Sequence, residues 1–269
     1  PTNQGREPSA IAEAVALAFM GSRTANWPED RRAGLTALFS RLQYKKTGEW
    51  KEEIVCADPA KAEAFSALLP DGTTAHVAAG QDPRQVFTNW LITEDNPWFS
   101  RCVVNRIWAW LFGRGIVHEA DDTRPDNPPA NEELLAYLAG ELANSGYDLR
   151  HIYRLILNSR TYQQSSIPQS DSPEAEVQFA YYPVRRLDAE VLIDALCWIG
   201  GQGETYSSAV PEPFTYTPAD QRTIALSDGS ITSQFLEMFG RPARDTGLLS
   251  ARHHQPTDAP RLHLLTLSL

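Results

Sequence analysis

The stretch "VVNRIWAWLFGRGI", residues 103–116, restricts what this chain can fold into more than any other. Valines, an isoleucine, two tryptophans, a leucine and a phenylalanine recur at helical spacing, so a helix here belongs in an interior. Asn105 and Arg106 sit side by side near its start. A buried charge without a partner is too costly to keep. Arg106 therefore needs an acceptor, and the nearest acids beyond the helix are Asp121 and Asp122. Either the pair holds up a core by pinning the loop "EADDTRPDNPP" to the helix, or it faces a site.

The rest of the chain supplies helices to surround that one. "PSAIAEAVALAFM" (8–20) has helical spacing and high helix propensity. "EDRRAGLTALFSRL" (29–42) starts after Pro28 with acids at the positive end of the helix dipole. The period then changes: "EWKEEIVCA" and "TTAHVAAG" predict short strands, with "PDG" at 70–72 as a turn and a helical piece, "PAKAEAFSALL", between them. Helical spacing returns in "PRQVFTNWLI" and in the central helix, which is expected to begin near "NPWF" with Asn96 or Asp95 as cap. Asn131 precedes an amphipathic helix closed by Gly146, and Asp148 caps "LRHIYRLILNSRTY". In "LDAEVLIDALCWIGG" Leu187, Val191, Asp194/Ala195 and Trp198 alternate by three and four, which predicts a helix ended by Gly200-Gly201. Residues 201–229 read as a long irregular loop, a length that is usually functional or a cover. "SITSQFLEMFG" and a last apolar run from about Thr257 predict two final helices. The expected fold is mainly α, a multi-helix orthogonal bundle with a small β hairpin or insertion near residues 50–80. The expected domains are 1–81 and 82–269.

Composition narrows the partners. A hydrophobic content of 42% over 269 residues suffices for a real core. The formal charge of −10 repels phosphate backbones, and no basic stripe offsets it, so nucleic acid is not an expected partner. Cys56, Cys102 and Cys197 are scattered, odd in number and outside any CxxC, which predicts free thiols. No window of 18 apolar residues occurs, so no transmembrane segment is expected. The chain starts at Pro1 without a leader and stops within "LHLLTLSL"; it reads as a piece of a longer protein.

Four arginine-bearing motifs sit beside aromatics. They supply the candidate ligand-binding residues Asn105, Arg106, Trp108, Arg124, Asn127, Arg160, Tyr162, Arg185, Arg186 and Arg241. Converging, they would form a cationic, aromatic-lined cleft, with guanidinium forks on anionic groups and ring faces on sugars. Apart, each would clamp a loop onto the core, which is the simpler expectation. Glu190 follows Arg186 by four residues and Asp194 follows by four more, a helix-supporting ladder that could also set a carboxylate beside an arginine. "FGRPARDT" adds Arg244 and Asp245. The oxygen-rich loop 121–131 offers hard ligands, but its spacing is not an EF-hand and its Asx residues suit turns and caps, so calcium is a minor expectation and no metal site is predicted. The six histidines form no ligand set, His253-His254 included, and no HExxH, GxSxG, P-loop or GxGxxG after a strand occurs.

Six strings in fixed order, "GQDPRQVFTNWL", "NPWFSRCVVNRIWAWLFGRGIV", "DDTRPDNPPANEELLAYLA", "YDLRHIYRLILNSRTYQ", "YYPVRRLDAEVLIDALC" and "FLEMFGRPARDT", give the chain a family likeness. From about Asp82 to its end it resembles the planctomycete-type cytochrome c-associated domain of unknown function. The first part resembles the tail of the domain that precedes it. The resemblance implies an exported, extracytoplasmic parent, with other domains of that parent as partners. Many members carry a CxxCH-like string in the earlier segment; here the span is "GSRTANWPED", so no covalent haem or other cofactor is expected. The resemblance supplies no activity, although such proteins often accompany polysaccharide breakdown.

Two functions follow. The first is a non-catalytic scaffold or binding module, with an anionic glycan or a partner domain as ligand. The alternative is a polysaccharide-active hydrolase or lyase using Asp121, Asp122 or Glu190 beside arginines. An enzyme of that kind needs two of these carboxylates facing one open pocket.

Overall fold

Several α-helices start at a side chain that caps them: Asp82, Asn131, Asp148 and Ser233. The computed structural model describes residues 7–48, 53–124, 126–208, 210, 215–218, 220–226 and 231–241. The chain divides into two units, Pro1–Thr47 with Glu52–Pro183, and Gly48–Lys51 with Val184–Leu269. Both are mainly helical, with small two-stranded antiparallel sheets.

In the first unit α1 (Pro8–Met20) has proline in its first turn and stops at Gly21, whose φ of 62° lies in the left-handed region glycine adopts freely. α2 (Glu29–Phe39) follows. Two hairpins come next: β1 (Leu42–Lys46) with β2 (Glu53–Ala57), then β3 (Phe65–Leu68) with β4 (Thr74–Val77). α3 (Pro83–Leu91) is capped by Asp82, which accepts from Arg84 N at 2.9 Å. α4 (Phe99–Phe112) is the expected apolar helix, with Asn96 accepting from the backbone N–H groups of Trp98 and Phe99. α5 (Glu132–Asn144) and α6 (Leu149–Leu157) are capped by Asn131 and Asp148. The short α7 (Glu174–Val177) closes the unit.

This unit has two cores. Met20, Leu35, Leu38, Val77, Phe87 and Leu91 join α1, α2, the second hairpin and α3. Val104, Trp108, Phe112, Leu135, Leu138, Ile152 and Ile156 join α4, α5 and α6. Each fully buried side chain of this size contributes about 1.5–3 kcal/mol. In the first core α2 meets the second hairpin so closely that a Cβ built on Gly34 would lie 1.9 Å from the Leu68 carbonyl oxygen.

Two expectations in this region are corrected. Residues 59–69 hold one 3-10 turn, Pro59–Lys61, and then strand β3 rather than a helix. The helix expected over 29–42 ends at Phe39, and Leu42–Lys46 pair with Glu53–Ala57. In both places a cross-strand partner, invisible to local propensity, decides the outcome.

The second unit holds α8 (Ala189–Gly200), β5 (Ser207–Ser208) paired with β6 (Ile231–Thr232), and α9 (Gln234–Met238), capped by Ser233. Ala189 and Ile193 pack with Phe235, Leu236 and Phe239, the two phenylalanine rings stacked at 4.1 Å. The stripe of Leu187, Val191 and Trp198 is exposed: Trp198 is 87% accessible, Leu187 53% and Val191 40%. α8 is apolar on more than one face, and the phenylalanines of α9 select the face bearing Ala189 and Ile193. "SITSQFLEMFG" is a strand followed by a short helix, not one helix. The apolar run from about Thr257, with Arg244, Asp245 and His253-His254, lies outside the described residues.

Two outcomes test this packing. Gly34→Ala should lower unfolding free energy by about 1–3 kcal/mol, the cost typical of overpacking, measured by urea denaturation. The second concerns acid. At Asp71 burial works to raise the pKa, but hydrogen bonds from Trp90 and Thr73 outweigh it and hold the group below its ordinary value. Arg84 beside Asp82 and Arg101 beside Glu132 lower those carboxyls too. Groups with lowered folded pKa values stabilise above their unfolded pKa and lose that contribution as pH falls through the folded pKa. The melting temperature should therefore fall as pH drops below about 4, and less steeply in Asp71→Asn.

Candidate functional site

Asn105 and Arg106 sit on α4 where it meets α1, and both are engaged. Asn105 is 2% exposed and imitates a strand partner: its Oδ1 accepts from Val117 N at 2.9 Å and its Nδ2 donates to Val117 O at 3.1 Å. A Cβ on Gly115 would lie 2.2 Å from Val117 O, so this tight return depends on glycine. Arg106 uses all three nitrogens. Nε donates to Asp121 Oδ1 at 2.7 Å, Nη2 to Leu17 O at 2.9 Å, and Nη1 to Ala18 O. Leu17 and Ala18 lie in the last turn of α1, where the dipole favours a cation; Leu17 O also accepts from Gly21 N at 3.2 Å, so Arg106 is its second donor.

The surrounding residues seal this clamp. Asp121 is 3% exposed, and its Oδ2 is buried with no hydrogen-bond partner, so the Arg106 contact carries its charge. Thr123 N donates to Gly21 O at 2.8 Å. Burial pushes the Cys102 thiol up to about 11, against the pull of Arg106 and with a contribution from Asp121. Asp122, the other acceptor expected for Arg106, turns to Arg124 at 3.0 Å and Arg23 at 4.0 Å, in ion contacts rather than aligned hydrogen bonds. Arg124 also meets Asp126 at 3.7 Å. Asn127 donates to the carbonyls of His118 and Asp122. The oxygen-rich loop thus spends its Asx side chains on turns, caps and ion pairs. Among the described residues no group of three His, Cys, Asp or Glu side chains could hold a metal ion.

The remaining predicted residues fall into separate groups. Tyr162 packs against Phe112 and Tyr182, with ring centroids at 5.8 and 5.2 Å. Arg160 and Arg185 are exposed. In the second unit Arg186 donates to Phe239 O at 2.8 Å, with its guanidinium 5.5 Å from that ring's centre. Glu190 is 6% exposed and meets Arg241 Nε at 3.3 Å; Arg241 Nη1 donates to Ile231 O at 2.6 Å. Asp194, read as the next step of a ladder, instead accepts from Thr223 N and Ile224 N. Each engaged arginine is thus occupied by acceptors of its own unit. All three candidate acid–base carboxylates, Asp121, Asp122 and Glu190, meet arginine.

An open concavity lies elsewhere in the first unit. A groove of about 460 Å³ runs between α5 and α6. Trp108, Leu134, Leu138, Leu155 and Ile156 supply its apolar lining. Trp108 is 2% exposed and stacks on Phe112 at 4.2 Å, yet its Nε1 is buried without an acceptor. Tyr137, His151, Arg154 and Asn158 add polar groups, and among the described residues no carboxylate lines the groove. His151 Nε2 lies 2.9 Å from Glu141 Oε2. Of the candidate ligand-binding residues only Trp108 lines this groove. The signal for the other lining residues was Arg150, His151 and Arg154 on one helix in an acidic chain, opposite a tyrosine among leucines.

The family model of PSD1, a protein of unknown function (DUF1553), matches residues 83–265, so the chain belongs to that family. No curated protein and no solved structure matches it.

Arg106→Met leaves a buried carboxylate and the Ala18 carbonyl without their donor and takes one of two donors from Leu17 O. It should cost about 3–5 kcal/mol in chemical denaturation, the range for breaking a buried ion pair. In the native protein at pH 8 Cys102 should resist a thiol reagent; loss of the arginine's pull raises the thiol further, so any reaction in Arg106→Met must come from opening of the α1–α4 contact and should rise with urea.

Proposed function

We propose that this member of the DUF1553 family is a non-catalytic scaffold and binding module of a larger exported protein, of the cytochrome c-associated type that its sequence resembles. One observation carries this: the candidate carboxylates are all paired to arginine, while the open groove holds aromatic and cationic groups and, among the described residues, no carboxylate. Acid–base cleavage of a glycosidic bond needs two carboxyl groups flanking one site. Asp121 and Glu190, at 3% and 6% exposure, have no open face to offer a substrate.

Two ligands fit a binding module of this parentage, an anionic polysaccharide and a segment of a neighbouring domain. The groove favours the protein segment. Leucine and isoleucine side chains would strip water from sugar hydroxyls without replacing their hydrogen bonds, at a cost of about 1–3 kcal/mol for each group left unpaired. An apolar side chain meets no such penalty.

Incubation with a panel of uronate-containing and sulfated polysaccharides should release no new reducing or unsaturated ends. End release that disappears in Asp122→Asn or Glu190→Gln would overturn the non-catalytic assignment.

A further inference from the structure

We infer that the α5–α6 groove is a docking site for an acidic protein segment that inserts one large apolar side chain beside Trp108 and sets a carboxylate against Arg154. The inference rests on the binding-module function proposed above and names the partner's chemistry.

Three observations select this occupant. The lining is apolar over Trp108, Leu138 and Ile156, and its volume of about 460 Å³ exceeds what one side chain needs, so it accepts an anchor with adjoining backbone. Trp108, which lines the groove, holds a buried donor, Nε1, with no acceptor, a state that costs free energy; that nitrogen has no exposed surface, so a backbone carbonyl of the occupant relieves it by way of a shift of the indole.

The third observation is charge. The chain carries −10 overall, yet α6 presents Arg150 and Arg154 on its exposed surface with His151 between them. No carboxylate engages Arg154 among the described residues, whereas His151 meets Glu141. An exposed guanidinium free of an internal partner at the edge of an apolar groove suits a carboxylate of the occupant. A basic segment would be repelled by the same group.

The test uses the full chain and short fluorescein-labelled peptides with a central phenylalanine flanked by aspartate and glutamate. Fluorescence anisotropy should show saturable binding that weakens with salt. A matched peptide with lysine in place of the acids should bind at least about tenfold more weakly. Tyr137→Ala and Arg154→Glu lie at exposed positions and should each weaken binding by about tenfold without shifting the melting temperature. Trp108→Phe keeps the ring and removes the donor; it should weaken binding several-fold while leaving the fold at least as stable. Equal binding of acidic and lysine peptides, or binding indifferent to all three variants, overturns the inference. So does displacement of the acidic peptide by a uronate or sulfated oligosaccharide at lower concentration, which would leave the binding-module function standing with a glycan as ligand. Polysaccharide cleavage would defeat that function itself.

Discussion

The guanidinium of Arg106 is the point on which the first unit turns. It reaches from α4 to the carbonyl end of α1 while also neutralising a buried aspartate. Those two helices belong to different hydrophobic cores, one built on α1–α3 and the other on α4–α6. Apolar packing holds each core but does not by itself fix the register between them, because it is non-directional. Directional bonds from a planar guanidinium do fix it. Asn105, next along the helix, pairs with Val117 and brings Asp121 back to the same place. The adjacent amide and guanidinium are therefore two halves of one device. One folds the loop onto α4, and the other ties loop and helix to α1.

Much of this was legible in the sequence because its causes are local. Asn131 and Asp148 accept from backbone N–H groups within the next three residues, and Gly146 and Gly201 take the positive φ that ends a helix. The need of Arg106 for an acid was a charge-burial argument that required no coordinates. What failed or stayed open depended on distant partners. Residues 65–68 carry helix formers but lie opposite 74–77. The stripe of Leu187, Val191 and Trp198 has helical spacing, which identifies a face without saying what packs on it. Asp122 was interchangeable with Asp121 until the loop's path set one against Arg106 and the other against Arg124. The carbonyls of Leu17 and Ala18 were beyond any reading of side chains alone.

The same contrast shapes the functional conclusion. Residues conspicuous in the sequence, arginines beside aspartates and aromatics, are largely those the fold consumes in its own clamps. The residues left available, Tyr137 and Arg154, sit in ordinary amphipathic helices and become a site only when α5 and α6 meet over Trp108. Membership of the DUF1553 family identifies the chain without assigning it chemistry. The proposal of a binding module rests on where the charges are spent and where they are left over.

The central claim is that the Arg106 clamp couples the two cores of the first unit. Native-state hydrogen exchange on Asp121→Asn tests it most directly, since that change weakens the clamp while leaving the hydrogen-bonding shape in place. Coupling predicts that amides in the last turn of α1, in residues 117–123 and in α4 around Arg106 lose protection together and by similar factors. Loss confined to residues 117–123, with α1 as protected as before, would show that the cores are joined by packing alone and would contradict the account.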